Sequence, residues 1–162
     1  MPDFLSSLKA NQVSNAGSVA PMTFVTIDGV QGNFLCRQAT ATTDIPLGVS
    51  QVGANIAPNM FNTLSAGNYN PANVAGYPGD QIGIFTVGDV ASIRISGSAT
   101  GTGSSAVLPG NALTNDSSGV STNFGTAVSI AAFTANRYIG GFAVQAGNPG
   151  DIIEMFILPG RC

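Results

Sequence analysis

The sequence predicts an all-β domain, a compact β-barrel or β-sandwich of about nine or ten short strands. Three observations carry this. Apolar and β-branched residues fall in short runs bounded by Gly, Pro, Asn and Asp. No segment sustains a long helical period. And one turn-plus-strand phrase occurs twice, as AGYPGDQIGIF at 75–85 and AGNPGDIIEMF at 146–156.

Taken in chain order, residues 1–20 read as an N-terminal arm. Phe4, Leu5 and Leu8 form one face of a short helix opened by Pro2-Asp3, and NQVSNAGSVAP follows as loop. The arm is either a loose terminus or a segment that docks on a neighbour. Residues 21–162 read as a single β domain. MTFVTID is β-branched and aromatic and ends on an Asp28-Gly29 turn, before NFLCRQ and PLGVSQV. QIGIFTV and VASIRIS flank Gly88-Asp89 and predict a β-hairpin. In it Ala91, Ile93 and Ile95 face inward, and Ser92, Arg94 and Ser96 face water. GSATGTGSSA is a flexible Gly/Ser stretch, and LPGNALTNDSSGV holds two turns around a short strand. TAVSIAAF fits a strand or one short helix, and RYIGGFAVQ and DIIEMFIL close the chain as strands.

The repeated phrase has a local physical cause. Pro presets the first central position of a type II turn, and Gly takes the positive φ of the second. Asp after the Gly accepts from nearby backbone amides. Pro78, Gly79 and Asp80, and again Pro149, Gly150 and Asp151, are thus structural turns that launch strands. The echo reaches further back, since PLGVSQVGA resembles YIGGFAVQAG. One hairpin motif is present twice, and the first copy carries an inserted loop at about 55–74. That insert has no charged residue but holds Met60, Phe61, Leu64 and Tyr69. A long apolar loop either folds back on its own domain or meets a partner.

Composition narrows the function. Of 162 residues only 8% are charged, with 5 basic, 8 acidic and a net charge of −3; ordinary domains carry roughly 25%. A surface so poor in charge suits an uncharged polar coat or a component of an assembly. Singly scattered basic residues argue against nucleic acid and against an anionic membrane surface. MPDFLSSLKANQ lacks the basic start and apolar stretch of a secretion signal. Cys36, in the apolar stretch FLC, reads as a small buried hydrophobe, and with Cys162 fits a reduced, intracellular origin. With no histidine, the usual general base and most metal sites are missing. The aspartates sit mostly in turns, and neither a nucleophile elbow nor a phosphate-binding loop occurs. No enzyme activity, cofactor or metal is expected.

Several motifs in order resemble one family, the capsid decoration (cement) proteins of tailed bacteriophages, a kind often mislabelled as a phage recombinase. TIDGVQGNFLCRQA is similar to that family's early hairpin, IPLGVSQVGA to its Gly-Val strand, and AGYPGDQIGIFTVGDVASI to its central strand pair. Gly110, Leu113, Asp116 and Gly119 carry its Gly-x-x-Leu-x-x-Asp-x-x-Gly turn, and YIGGFAVQAGNPGDIIEMFI its closing hairpin. The likeness spans about residues 20–158; the arm and the insert depart from it. It implies a non-enzymatic homotrimer on the outer capsid surface of the virion, made in the host cytoplasm. There it would stabilise contacts between subunits of the major capsid protein. On that reading Phe4, Leu5, Leu8, Met60, Phe61, Leu64 and Tyr69 are the partner-binding candidates. The alternative is a tail- or vertex-associated β-module binding host glycans. That needs exposed aromatics, and the sequence has no Trp and 3 Tyr.

Overall fold

The computed structural model describes residues 12–14, 16–28, 35–41, 43–50, 74–97, 106–116, 125–130 and 137–161. These residues contain nine strands: β1 (Phe24–Asp28), β2 (Leu35–Gln38), β3 (Pro46–Ser50), β4 (Ile84–Phe85), β5 (Val90–Arg94), β6 (Ala112–Asn115), β7 (Ala127–Ser129), β8 (Tyr138–Ala143) and β9 (Ile152–Arg161). They form two antiparallel sheets, β2-β1-β3-β4 and β5-β9-β8-β6-β7, and no helix occurs among the described residues. The all-β expectation holds, and TAVSIAAF supplies strand β7. The sheets pack together as a sandwich, because Phe24 and Val49 of the first share one core with Ile93, Met155 and Ile157 of the second.

The sheets are two copies of one unit. In the first, Val25 pairs with Gly48 and Val49 with Phe85; in the second, Leu113 pairs with Gly141 and Phe142 with Phe156. Outside the named strands the match continues. Gln12 bridges Gln81, and Val13 joins Cys36 in parallel, as Ile95 joins Ala127. Val19 bridges Gly76, as Val107 bridges Gly147. Each sheet therefore curls, its edges joined directly in the second half and through residues 12–13 in the first. Each also encloses an equivalent set of five side chains. Val13, Val19, Val25, Cys36 and Ile82 form the small core of the first half. Ile95, Val107, Leu113, Ala127 and Ile153 occupy the same places in the second. Residues 12–14 and 16–20, from the second part of the segment read as an arm, thus lie within the first sheet's packing, with Val13 and Val19 buried.

The repeated Pro-Gly-Asp turns match atom for atom. The Asp80 amide donates to the Tyr77 carbonyl at 2.9 Å, and the Tyr77 amide to Asp80 Oδ2 at 3.0 Å. At the other copy the Asp151 amide donates to Asn148 at 3.0 Å, and the Asn148 amide to Asp151 Oδ2 at 2.8 Å. Gly79 and Gly150 sit at φ 92° and 89°, in the left-handed region glycine tolerates. The same closed turn recurs at Thr86–Asp89 and Leu108–Asn111, where Asp89 and Asn111 close back onto the Thr86 and Leu108 amides.

One expectation fails. QIGIFTV and VASIRIS do not form a hairpin, since β4 pairs with β3 and β5 with β9. The reason lies in the turn. Gly88 has φ 92° as its third residue, which makes it type II, and type II turns splay strands rather than pair them. The turn docks instead on β9, with the Gly88 amide on the Ile157 carbonyl and the Ile157 amide on Asp89. Strand β5 still alternates as expected through Arg94, with Ala91 and Ile93 buried and Ser92 and Arg94 exposed. Ser96 departs from that pattern: it is buried, and its hydroxyl donates to Asp116.

A carboxylate–guanidinium pair fastens the chain between β2 and β3. Asp44 accepts from Arg37 at 2.6 and 3.0 Å and from the Thr40 and Ala41 amides at 2.8 and 3.0 Å. Burial pushes the Asp44 carboxyl up, but these four hydrogen bonds and the Arg37 charge outweigh it and hold the group below its ordinary value. A depressed folded value stabilises the fold above the unfolded value of about 4, and that stability is lost as pH falls through the folded value. Wild-type thermal stability should therefore fall on acidification below about pH 4. Asp44→Asn should cost about 1–2 kcal/mol at neutral pH, discounted because Arg37 is partly exposed, and should flatten the acid limb. Unfolding midpoints of both proteins against pH check this.

Candidate interaction surfaces

Five aspartates among the described residues are occupied by the fold. Asp80, Asp89 and Asp151 close turns, Asp44 holds Arg37, and Asp116 takes the Ser96 hydroxyl. Cys36 is fully buried; burial pushes its thiol up to about 11, against a smaller opposing backbone hydrogen bond, so it is a packing residue and not a nucleophile. Among the described residues no three His, Cys, Asp or Glu side chains converge as metal ligands, and no helix is long and apolar enough to cross a membrane.

Pro78, Gly79 and Asp80, and Pro149, Gly150 and Asp151, lie at the two equivalent turns. The partner-binding candidates Phe4, Leu5, Leu8, Met60, Phe61, Leu64 and Tyr69 lie outside the described residues, as does Gly119. Gly110 occupies the third position of its turn at φ 82°, and Leu113 and Asp116 are buried on and after β6.

Two apolar surfaces emerge that sequence reasoning did not single out. One is the outer face of the second sheet. Cross-strand pairing sets Val90 beside Phe156 and Phe156 beside Phe142. Val90, Ile152, Phe156 and Leu158 are all exposed there, and Glu154 is the acidic residue among them on β9. The signal was present in DIIEMFIL, a strand apolar on both faces where a wet face would alternate with polar residues. The other is an open groove of about 350 Å³ on the first half, lined by Thr26, Ile27, Ile45, Pro46 and Leu47 with the Asp44 turn at its side. Ile27 is 41% exposed and Ile45 56%. Both surfaces suit contact with another protein surface, with burial of aliphatic groups as the driving force.

These features define a β-sandwich built from a tandem repeat, with two exposed apolar surfaces and no evident catalytic centre among the described residues. No family model and no curated protein matches the sequence. Among solved structures, the fold is similar to that of the N base of the head fiber gp8.5 of bacteriophage phi29. The likeness has a TM-score of 0.50 and covers 91% of this chain and 90% of that one, at 15% sequence identity. At that identity it shows a shared fold.

Proposed function

We propose that this protein is a non-enzymatic structural component of a bacteriophage virion. In this reading it binds the outer surface of the capsid as a self-associated trimer and stabilises contacts between major capsid protein subunits. The observation that carries the proposal is the fold it shares, over nine-tenths of both chains, with a phage head fiber base. The low charge and the exposed aliphatic surfaces support it. A shell-bound protein needs distributed apolar and backbone contacts rather than a catalytic centre, and many copies turn a modest contact into shell stability.

Purified protein should co-sediment with capsids of the phage that encodes it and raise the temperature at which those capsids disrupt. Removing residues 1–11 should weaken that binding if the terminal segment bearing Phe4, Leu5 and Leu8 contributes. A cut beyond Gln12 would be uninformative, because Val13 and Val19 are core. No co-sedimentation, together with retention on host glycans, would reassign the protein to a carbohydrate-binding role.

A further inference from the structure

The contact between the two halves is heterologous, and that has a consequence for assembly. The first half presents the outer face of its sheet: Phe24, Val49 and Phe85 pack against the second half's core. The second half receives them at a different place. A Cβ on Gly140 would meet the Phe24 ring, and Asn115 Nδ2 donates to the Ala41 carbonyl at 2.8 Å. The backbone joins in, with the Phe24 amide on Gly125 at 2.7 Å and the Arg94 amide on Met22 at 3.0 Å.

The repeat shows where the unused counterparts lie. Pairing register makes Ala112, Phe142 and Phe156 the second-half equivalents of Phe24, Val49 and Phe85. Ile45 corresponds to Tyr138, because Thr26 Oγ1 donates to the Ile45 carbonyl at 2.8 Å as Thr114 Oγ1 donates to Tyr138 at 2.7 Å. Ile27 and Asn115 then correspond, each one residue after its threonine, as do Leu47 and Gly140, each two residues after Ile45 or Tyr138. The presenting and receiving sets share no equivalent position, so the halves are not related as a self-complementary pair. One presenting face, on the second sheet, and one receiving groove, on the first half, are left over within a chain. They are the two exposed apolar surfaces described above.

We propose that the outer face of the second sheet, around Phe142 and Phe156, binds the groove walled by Ile27, Ile45 and Leu47 on a second copy of this chain. The contact repeats between chains the packing that joins the halves within one. Side-chain size fits the transfer. Within the chain a large ring, Phe24, meets a bare bulge, Gly140; between chains the small, largely covered Ala112 lies opposite a bulge that carries Leu47. A heterologous contact of this kind adds copies head to tail and closes as a ring or runs on as a filament. The inference is independent of capsid binding, and it rests on the self-association proposed above, to which it assigns surfaces.

The test uses purified full-length protein, with Ile45→Glu in the groove and Phe156→Glu on the face; both side chains are exposed. Native mass spectrometry and sedimentation velocity give the assembly state, and thermal unfolding confirms that each variant folds. Ile27→Glu and Val90→Glu replace either one that does not. Wild type should be oligomeric and each variant alone monomeric. An equimolar mixture of the two should form a 1:1 complex and nothing larger, because each keeps one intact surface. A monomeric wild type, an oligomer that survives both substitutions, or variants that fail to pair on mixing would overturn the proposal. Capsids play no part in this experiment: a monomeric wild type would remove the trimer as well, but any failure would leave capsid binding itself standing.

Discussion

Phe24→Ala should destabilise the protein by about 3–5 kcal/mol, the range for removing a fully buried aromatic ring. For a chain of this length that lowers the unfolding midpoint by roughly 10 °C. The ring is the main plug between the halves: it is fully buried and lies against backbone at Gly140. The same geometry predicts a coupling. Gly140→Ala alone places a methyl group inside the space the ring occupies and should cost about 2–3 kcal/mol. In the Phe24→Ala background that space is empty, so the second substitution should cost little or regain some stability. A double-mutant cycle by denaturant unfolding reads the interaction energy directly. Strict additivity would mean that the ring does not sit on Gly140 and that the packing between halves is wrong.

Gly48→Ala and Gly141→Ala should each cost about 3 kcal/mol or more, and by similar amounts. A Cβ at Gly48 would collide with the Phe85 carbonyl oxygen and crowd the Ile84 side chain. At Gly141 it would meet the Phe156 carbonyl oxygen and the Met155 side chain. Carbonyls fixed in a ladder cannot swing aside as the end of a flexible side chain can, so the strands themselves must part. The parallel matters more than the size. Comparable penalties, measured from unfolding midpoints at constant slope, are what equivalent places in a duplicated unit predict, because each Cβ meets a carbonyl oxygen in the same way.

The parts of the fold legible in the sequence are those fixed by local chemistry. A Pro-Gly-Asp turn requires those three residues for three separate reasons, so both copies kept them, and the hairpin around each could be read. The rest of the duplication was hidden because core positions keep size and face rather than identity. Nothing in the letters links Val13 to Ile95, Val25 to Leu113 or Cys36 to Ala127, yet each pair fills the same place. Strand partnership was also beyond local reading. Two good strands about a Gly-Asp step suggest a hairpin, whereas the turn that formed sends β4 and β5 to different sheets. The apolar surfaces were half visible. An apolar strand on both faces marks β9, but Ile27 and Ile45 come together only through the pairing of β1 with β3.

The function rests on a shared fold and on surface chemistry, and occupancy on the particle tests it most directly. Quantitative mass spectrometry of purified virions gives the ratio of this protein to the major shell protein. A fixed ratio amounting to many copies per particle, set by the shell lattice, is the predicted result. A handful of copies per particle, or none, would contradict a role on the capsid surface.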